Sequence, residues 1–290
     1  YDAIIIGTGP NGLAAAAVLA RAGASVLMVE GKDTIGGGLR SAELTQPGFI
    51  HDICSAAHPT AVASPVFQSL PLEQHGLEWI KPAVSIAHPL ATAPSVLLRT
   101  NIEETAAALG KDARRYQQML APFLRDPDGL VADVFSPFRL PRNPLRMLRF
   151  GLQALQPATW HIRRFREERA QALFAGSAAH SLLPLSRMLT GALGLLFTLL
   201  GHSHTWPVAR CGSGQIANAL AGYLKTLAVD ILTGHHITAL SQLPPAKVVF
   251  FDTDPGQMIR IAGAALPAAY CRRVRKYRYG PGCFKLDYAL

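Results

Sequence analysis

The chain's 290 residues are 49% hydrophobic and 16% charged, with a mean hydropathy of +0.20; this excludes general disorder and supplies one large core or two modest ones. The net charge of +9 comes mostly from arginines at 139–169 and 272–278, and no helix-turn-helix, zinc-finger or RNA-binding pattern accompanies them, so no nucleic-acid partner is expected. Cys54, Cys211, Cys271 and Cys283 form no C-x-x-C and no close pair, which excludes a disulfide scaffold and a cysteine-built zinc site and points to reduced thiols in a cytoplasmic setting.

The chain opens on an apolar run, residues 3–6, that suits a strand buried on both faces. It is short, has no basic flank and leads into a glycine turn, so it is not read as a secretion signal. Gly7, Gly9 and Gly12 follow at G-x-G-x-x-G spacing, with Pro10 and Asn11 inside the turn. In such a turn the first glycine permits the sharp reversal, the second lets backbone approach a pyrophosphate, and the third lets helix pack on strand. Residues 13–22 are alanine-rich and predict the helix, whose N-terminus offers unpaired N–H groups to phosphate. Residues 25–29 predict a second strand, closed by Glu30 and followed by Gly31 and Lys32. An acid about twenty residues after the glycines binds ribose hydroxyls and repels a 2′-phosphate, which disfavours NADP.

A second cluster, Gly36-Gly37-Gly38-Leu39-Arg40-Ser41, suits another approach to the same pyrophosphate, with the Arg40 guanidinium adding charge-assisted bonds. FAD and NAD both carry an ADP half, and the first fingerprint does not separate them.

Beyond residue 41, Pro47-Gly48 predicts a turn between two short strands, and 65–70 a short helix. Strands are expected at 77–80 and 95–99 with a proline-rich crossing between them. Helices are expected at 102–109, 112–124, 146–155, 160–175 and 177–200, with prolines breaking regular structure over 135–144. The most apolar stretch, 188–201, is too short to span a bilayer and reads as a buried helix, with a pocket-lining or membrane-dipping helix as the alternative. Arginines at 139–169 alternate with Leu145, Met147, Leu148, Phe150, Trp160 and Phe165, which describes a solvated helix face or a surface for peripheral contact with anionic lipid.

After Trp206 the pattern changes to a helix at 215–227, a strand at 229–232, an extended piece at 234–240 and a buried strand at 247–252, able to rejoin the first sheet. A helix at 259–266, helix and loop at 270–278 and the start of a strand at 284–288 close the chain. Gly212-Ser213-Gly214 is not a G-x-S-x-G elbow, so a serine hydrolase is unsupported. His51, Cys54 and His58 read as packing or hydrogen-bonding residues, and His202/His204 and His235/His236 lack metal-ligand partners at matching spacing, so no metal is expected.

The opening Tyr1-Asp2-Ala3-Ile4-Ile5-Ile6-Gly7-Thr8-Gly9-Pro10-Asn11-Gly12, then Val29-Glu30-Gly31-Lys32 and Gly36 to Ser41, resemble phytoene-dehydrogenase-like FAD-dependent oxidoreductases of the amine-oxidase and carotenoid-desaturase flavoproteins. His51 to Ser55, Ser64 to Phe67, Gly76 to Trp79, Ala87 to Pro89, Gly201-His202, Trp206-Pro207, Gly212 to Gly214, Asp252 to Pro255, Tyr279 to Gly282 and Phe284 to Asp287 are similar to later family segments. The resemblance implies an α/β fold: a Rossmann-like FAD-binding domain from 1–80 and 206–262, a helix-rich insertion at 81–205, and a partial substrate domain beginning at 263–290. It also implies FAD as cofactor, backbone at Ile237 near the adenine, and residues 52–60 near the flavin ring. The missing redox cysteine pair counts against the disulfide-reductase branch.

The family's closing flavin-contacting segment has no counterpart here, so the chain is expected to be a fragment or a truncated reading frame. The expected function is hydride transfer on an apolar, polyene- or lipid-like small molecule, with no catalytic acid or base assigned. A non-catalytic remnant and an NAD-dependent dehydrogenase are the alternatives. The expected location is cytoplasmic, with peripheral membrane contact left open beside it.

Overall fold

The computed structural model describes residues 1–136 and 140–290. Strands β1 (Ala3–Ile6) and β2 (Val26–Val29) flank helix α1 (Pro10–Arg21). The helix starts at Pro10 rather than at Leu13, because a proline in the first turn lacks only an N–H that would have no intrahelical partner. A hairpin of β3 (Ser41–Glu43) and β4 (Ile50–Asp52) follows, then α2 (Pro59–Ala63), α3 (Pro65–Gln68) and β5 (Trp79–Ile80). The proline-rich crossing contains a strand that composition concealed, β6 (Val84–His88), which pairs antiparallel with β7 (Val96–Arg99). Its prolines, Pro82 and Pro89, lie just outside the paired residues, where no ladder bond is lost.

A run of helices comes next: α4 (Ile102–Ala107), α5 (Ala113–Leu124), α6 (Pro127–Val134), α7 (Pro144–Ala154), α8 (Ala158–Ile162), α9 (Glu168–Ala179) and α10 (Thr190–Ser203). Asp126-Pro127 begins a helix as well as ending one: the Asp126 carboxylate accepts from Gly129 N at 2.9 Å and caps α6. The helices expected at 160–175 and 177–200 are divided differently. Asp112 accepts from the N–H groups of Arg166 and Glu167 at 2.6 and 2.7 Å, which fixes a turn between α8 and α9, and Pro184 lies in the turn before α10. The proline-broken stretch at 135–144 falls partly on 137–139, outside the described residues.

The chain then forms β8 (Val208–Ala209), antiparallel to β5, followed by α11 (Gly214–Thr226), β9 (Asp230–Leu232), β10 (Val248–Phe251), α12 (Pro255–Ala262) and α13 (Ala268–Val274). Residues 234–240 form no strand before a short turn at Leu240, and 284–288 form none either; the latter meet β4 through side chains, with Lys285 Nζ donating to Asp52 O at 2.8 Å and Asp287 lying 3.8 Å from His51.

β9 and β10 do rejoin the first sheet, giving a four-stranded parallel sheet in the order β10-β1-β2-β9. One face packs on α1 and α11, where Leu13, Ala16 and Ala17 meet Ile216, Leu220 and Leu224 in one buried cluster. The other buries Ile4, Leu27 and Val29 under Ile237 and Leu243. A second large core lies among the helices and β7, around Tyr116, Phe123, Phe174, Leu98 and Leu199. Ala63 of α2, Val131 of α6 and Leu196 and Leu200 of α10 form a smaller cluster joining these helices. The apolar 188–201 stretch is thus largely the buried helix α10.

Phe174 is fully buried, and its ring stands 2.6 Å from where a Cβ on Gly194 would lie. Phe174→Ala should therefore cost about 3–5 kcal/mol in urea unfolding, whereas Leu148→Ala, on the exposed side of α7, should stay within about 0.5 kcal/mol.

Candidate functional site

The parallel register aligns Ile6 with Val29 on one side and with Phe251 on the other. The residues that follow those strand ends are Gly7, Glu30 and Asp252, so the glycine turn is flanked by two carboxylates. Backbone bonds hold the three together: Gly7 N donates to Val29 O, Asp252 N to Ile6 O and Glu30 N to Leu232 O, each at 2.8 Å. A cleft of about 770 Å³ opens there, at the carboxyl edge of the sheet where doubly wound folds bind ligands.

Gly7 has a φ of +103°, and a Cβ on it would overlap the carbonyl group of Asp252. Gly9, Pro10 and Gly7 line the cleft; Gly12 lies buried behind them and packs against Asp252. Asn11 is exposed on the first turn of α1 and does not line the cleft.

Glu30 lines the cleft from β2, with Gly31 and Lys32 beside it. Its Oε2 accepts from Thr8 N at 3.1 Å and Thr8 Oγ1 at 2.6 Å, and its Oε1 from Lys32 N at 3.0 Å. Two carboxylate oxygens offer about four acceptor directions, so capacity remains for a ligand hydroxyl.

Thr8 is the residue that sequence reasoning missed. It is fully buried, and besides holding Glu30 its carbonyl accepts from Gly36 N at 2.9 Å. One side chain and one peptide thus fasten the acid and the second glycine cluster to the first. Gly37 and Gly38 accordingly line the same cleft, and a Cβ on Gly37, whose φ is +54°, would stand 3.0 Å from Gly9 Cα.

Leu39 and Arg40 do not line it. Leu39 is buried in the sheet core, and Arg40 Nε donates to Gly37 O at 3.0 Å. Through this bond the guanidinium expected to meet pyrophosphate braces the turn that carries the glycines. Ile237 lines the cleft from the opposite side and packs over Ile4 and Leu27. His235 N donates to Glu30 O at 2.9 Å and Gly234 N to Lys32 O at 2.8 Å, which stitches that loop to β2.

Asp252, Thr253, Gln257 and Arg260 complete the wall. Among the described residues, the enclosed Asp252 Oδ2 has no hydrogen-bond partner, and it lies 2.6 Å from the Cβ positions of both Gly9 and Gly12. Burial, with the Glu30 charge adding to it, raises its pKa; the nearby N–H groups of Gly12 and Gly9 oppose the shift without reaching bonding geometry. The available signal was position: Asp252 ends β10 as Glu30 ends β2.

Ser213 is fully buried. Its Oγ donates to Ser55 O at 2.7 Å and contacts His58 Nε2 at 2.7 Å, while its N–H donates to Asp52 at 2.6 Å. Burial lowers the His58 pKa. The network ties the 41–58 hairpin region to the start of α11 and leaves the hydroxyl no free approach. His51 bonds Thr45 at 2.7 Å, whereas Cys54 is exposed beside Gly38. His202 is buried against the Tyr116 hydroxyl at 2.6 Å and His204 lies 2.8 Å from Asp128. Among the described residues no three of His, Cys, Asp and Glu converge as metal ligands, and no helix is long and apolar enough to cross a membrane.

Residues 5–70 match the family described as NAD(P)-binding Rossmann-like domain. The chain is 31% identical over 122 residues to one of the subunits of limonene dehydrogenase from Castellaniella defragrans, covering 41% of this chain and 22% of that protein. It is likewise 31% identical over 127 residues to pyridine nucleotide-disulfide oxidoreductase domain-containing protein 2 of Rattus norvegicus, covering 43% and 20%. These matches span about a fifth of each relative's length. Among solved structures, an oxidoreductase from Methanosarcina mazei superposes with a TM-score of 0.62 at 14% identity, covering 94% of this chain and 65% of that one. A putrescine oxidase redesigned in cofactor binding gives 0.59 at 18% identity, covering 94% and 62%. At such identities the structures establish the fold alone. The chain carries a Rossmann-like, NAD(P)-binding-type domain at its N-terminus, within an α/β architecture shared with these oxidoreductase structures.

Proposed function

We propose that this chain forms the dinucleotide-binding part of an FAD-dependent oxidoreductase. The observation that carries this reading is the second glycine turn. Gly36 N is bonded to Thr8 O, and Gly37 and Gly38 thereby line the cleft opened by Gly7 and Gly9. A pyrophosphate approached by two backbone turns suits a dinucleotide that continues past the first turn toward residues 38–54. The residues lining the cleft fit the ADP half: backbone N–H groups at the start of α1 would meet phosphate, Glu30 would accept from ribose hydroxyls, and Ile237 would lie toward the adenine.

FAD, when bound, supplies the two-electron chemistry; the protein contributes binding, orientation and exclusion of water. In this reading Thr8 fixes the Glu30 carboxylate, and Arg40 holds the Gly37 carbonyl so that the turn keeps its shape. No catalytic acid or base is assigned. We further propose an apolar, polyene- or lipid-like substrate. Its support is the apolar composition and the exposure of Phe49, Ile50 and Ile53 on the hairpin segment next to Cys54 and Gly38.

The visible spectrum of the purified chain tests the cofactor. A flavin spectrum, or uptake of added FAD with quenched fluorescence, is the expected result; a colourless protein that takes up NAD and no FAD overturns the reading. Glu30→Ala should weaken FAD by roughly ten- to hundredfold, the worth of a charged hydrogen bond, and Glu30→Gln by less.

Asp252 gives the pH dependence. Its pKa is raised, and an anionic ligand beside it favours the protonated form further, so affinity should be greatest at acid pH and fall as pH rises through that raised pKa. Flavin titrations from acid to neutral pH should show this slope, and Asp252→Asn should flatten it. An unchanged slope would remove Asp252 from the phosphate environment.

A further inference from the structure

We infer that the outer face of α7 and the groove beside it form a docking surface for an anionic lipid bilayer. The helix is apolar on two sides. Phe150 and Ala154 point into the helical core, whereas Leu145, Leu148, Leu152 and Leu155, at helical spacing on the opposite side, are 79%, 59%, 60% and 49% exposed. A helix ordinarily buries its apolar stripe, and α7 carries a second one outside the core that lacks cover. The stripe continues past the helix end: Leu189 N donates to Leu155 O at 3.1 Å, which places exposed Met188 and Leu189 alongside, and Trp160 is 55% exposed nearby in sequence.

Charge selects the occupant. From residue 135 to 166 the sequence contains seven arginines and no Asp or Glu. A groove of about 720 Å³ runs between α5 and α7, lined by Arg125, Arg146 and Arg149 together with Leu145, and no acid lines it. Asp126 and Asp133 are both engaged by Arg146, Asp133 also accepts from Arg142 N at 3.0 Å, and Glu103 lines an adjoining recess with Arg125 without pairing to it. Among the described residues Arg125 and Arg149 have no ion-pair partner.

Leucines flanked by unpaired arginines, with an exposed tryptophan, match the region where acyl chains meet phosphate headgroups. A second copy of the chain fits less well. A symmetric pairing of leucine stripes would bring together the arginines of two chains that each carry a net charge of +9. The inference rests on this surface and is independent of the flavin reading.

Flotation of the 290-residue chain with phosphatidylcholine vesicles, with and without phosphatidylglycerol, tests it. The chain should float with the phosphatidylglycerol vesicles at low salt and lose most of that binding at high salt. Leu148→Glu with Leu152→Glu should abolish flotation. Arg125→Gln with Arg149→Gln should weaken it by roughly ten- to thirtyfold, about tenfold or less for each basic contact. All four positions are outward or on the groove, so unchanged melting curves are expected and separate lost docking from lost folding. Absence of flotation with either vesicle, or flotation unaffected by the leucine variant, overturns the inference. A concentration-dependent dimer in light scattering that the leucine variant abolishes, without vesicle binding, also overturns it and assigns the stripe to self-association.

Discussion

The α/β half of the molecule holds its shape through the close approach of the α1 N-terminus to the end of β10. Gly9 and Gly12 leave room for the Asp252 carboxylate, whose oxygen lies 2.6 Å from the Cβ each would carry. Gly7, at positive φ, turns under the Asp252 backbone. Any side chain at these positions pushes the helix off the sheet, and the cleft formed by the two strand ends and the helix N-terminus goes with it. The glycines are therefore steric requirements of a parallel sheet whose neighbouring strands come from residues 3–29 and 230–251, far apart in the chain.

The same closeness sets the electrostatics. A helix N-terminus favours negative charge, and the sheet register delivers two carboxylates to it. They are treated differently by their surroundings. Glu30 is supplied with donors from Thr8 and Lys32, whereas Asp252 is enclosed with one oxygen unbonded among the described residues. One acid is thus held as an acceptor with spare capacity, and the other is pressed toward its neutral form, which is the form compatible with an adjacent phosphate.

The helical part obeys a different rule. Its interior is assembled from small and aromatic residues in contact, as where Gly194 admits the Phe174 ring and Gly201 admits Leu98. Two buried hydroxyls there are paired, Tyr116 with His202 and Thr190 with backbone carbonyls, and burial raises the tyrosine pKa and lowers the histidine's. Helix α7 departs from this economy of cover, since it satisfies the core with one side and leaves leucines in the open on the other.

The local units were legible in the sequence. The strand–glycine–helix–strand–acid run and the buried α10 follow from periodicity, glycine spacing and short apolar runs, because these depend on neighbours within a few residues, whereas the return of two strands to the first sheet was implied by the family resemblance. The misread elements were those whose stability comes from a distant partner. Strand β6 exists through β7, the 163–167 turn exists through Asp112, and residues 284–288 meet β4 through the side chains of Lys285 and Asp287 rather than as a paired strand. The site divides in the same way. Gly7, Gly9, Glu30 and Gly37 could be read from spacing, while the turn of Arg40 onto its own loop, the clasp made by Thr8 and the arrival of Asp252 came from the assembled fold. A side chain's partner in space is set by strand register and helix packing, and neither is written within the residues that flank it.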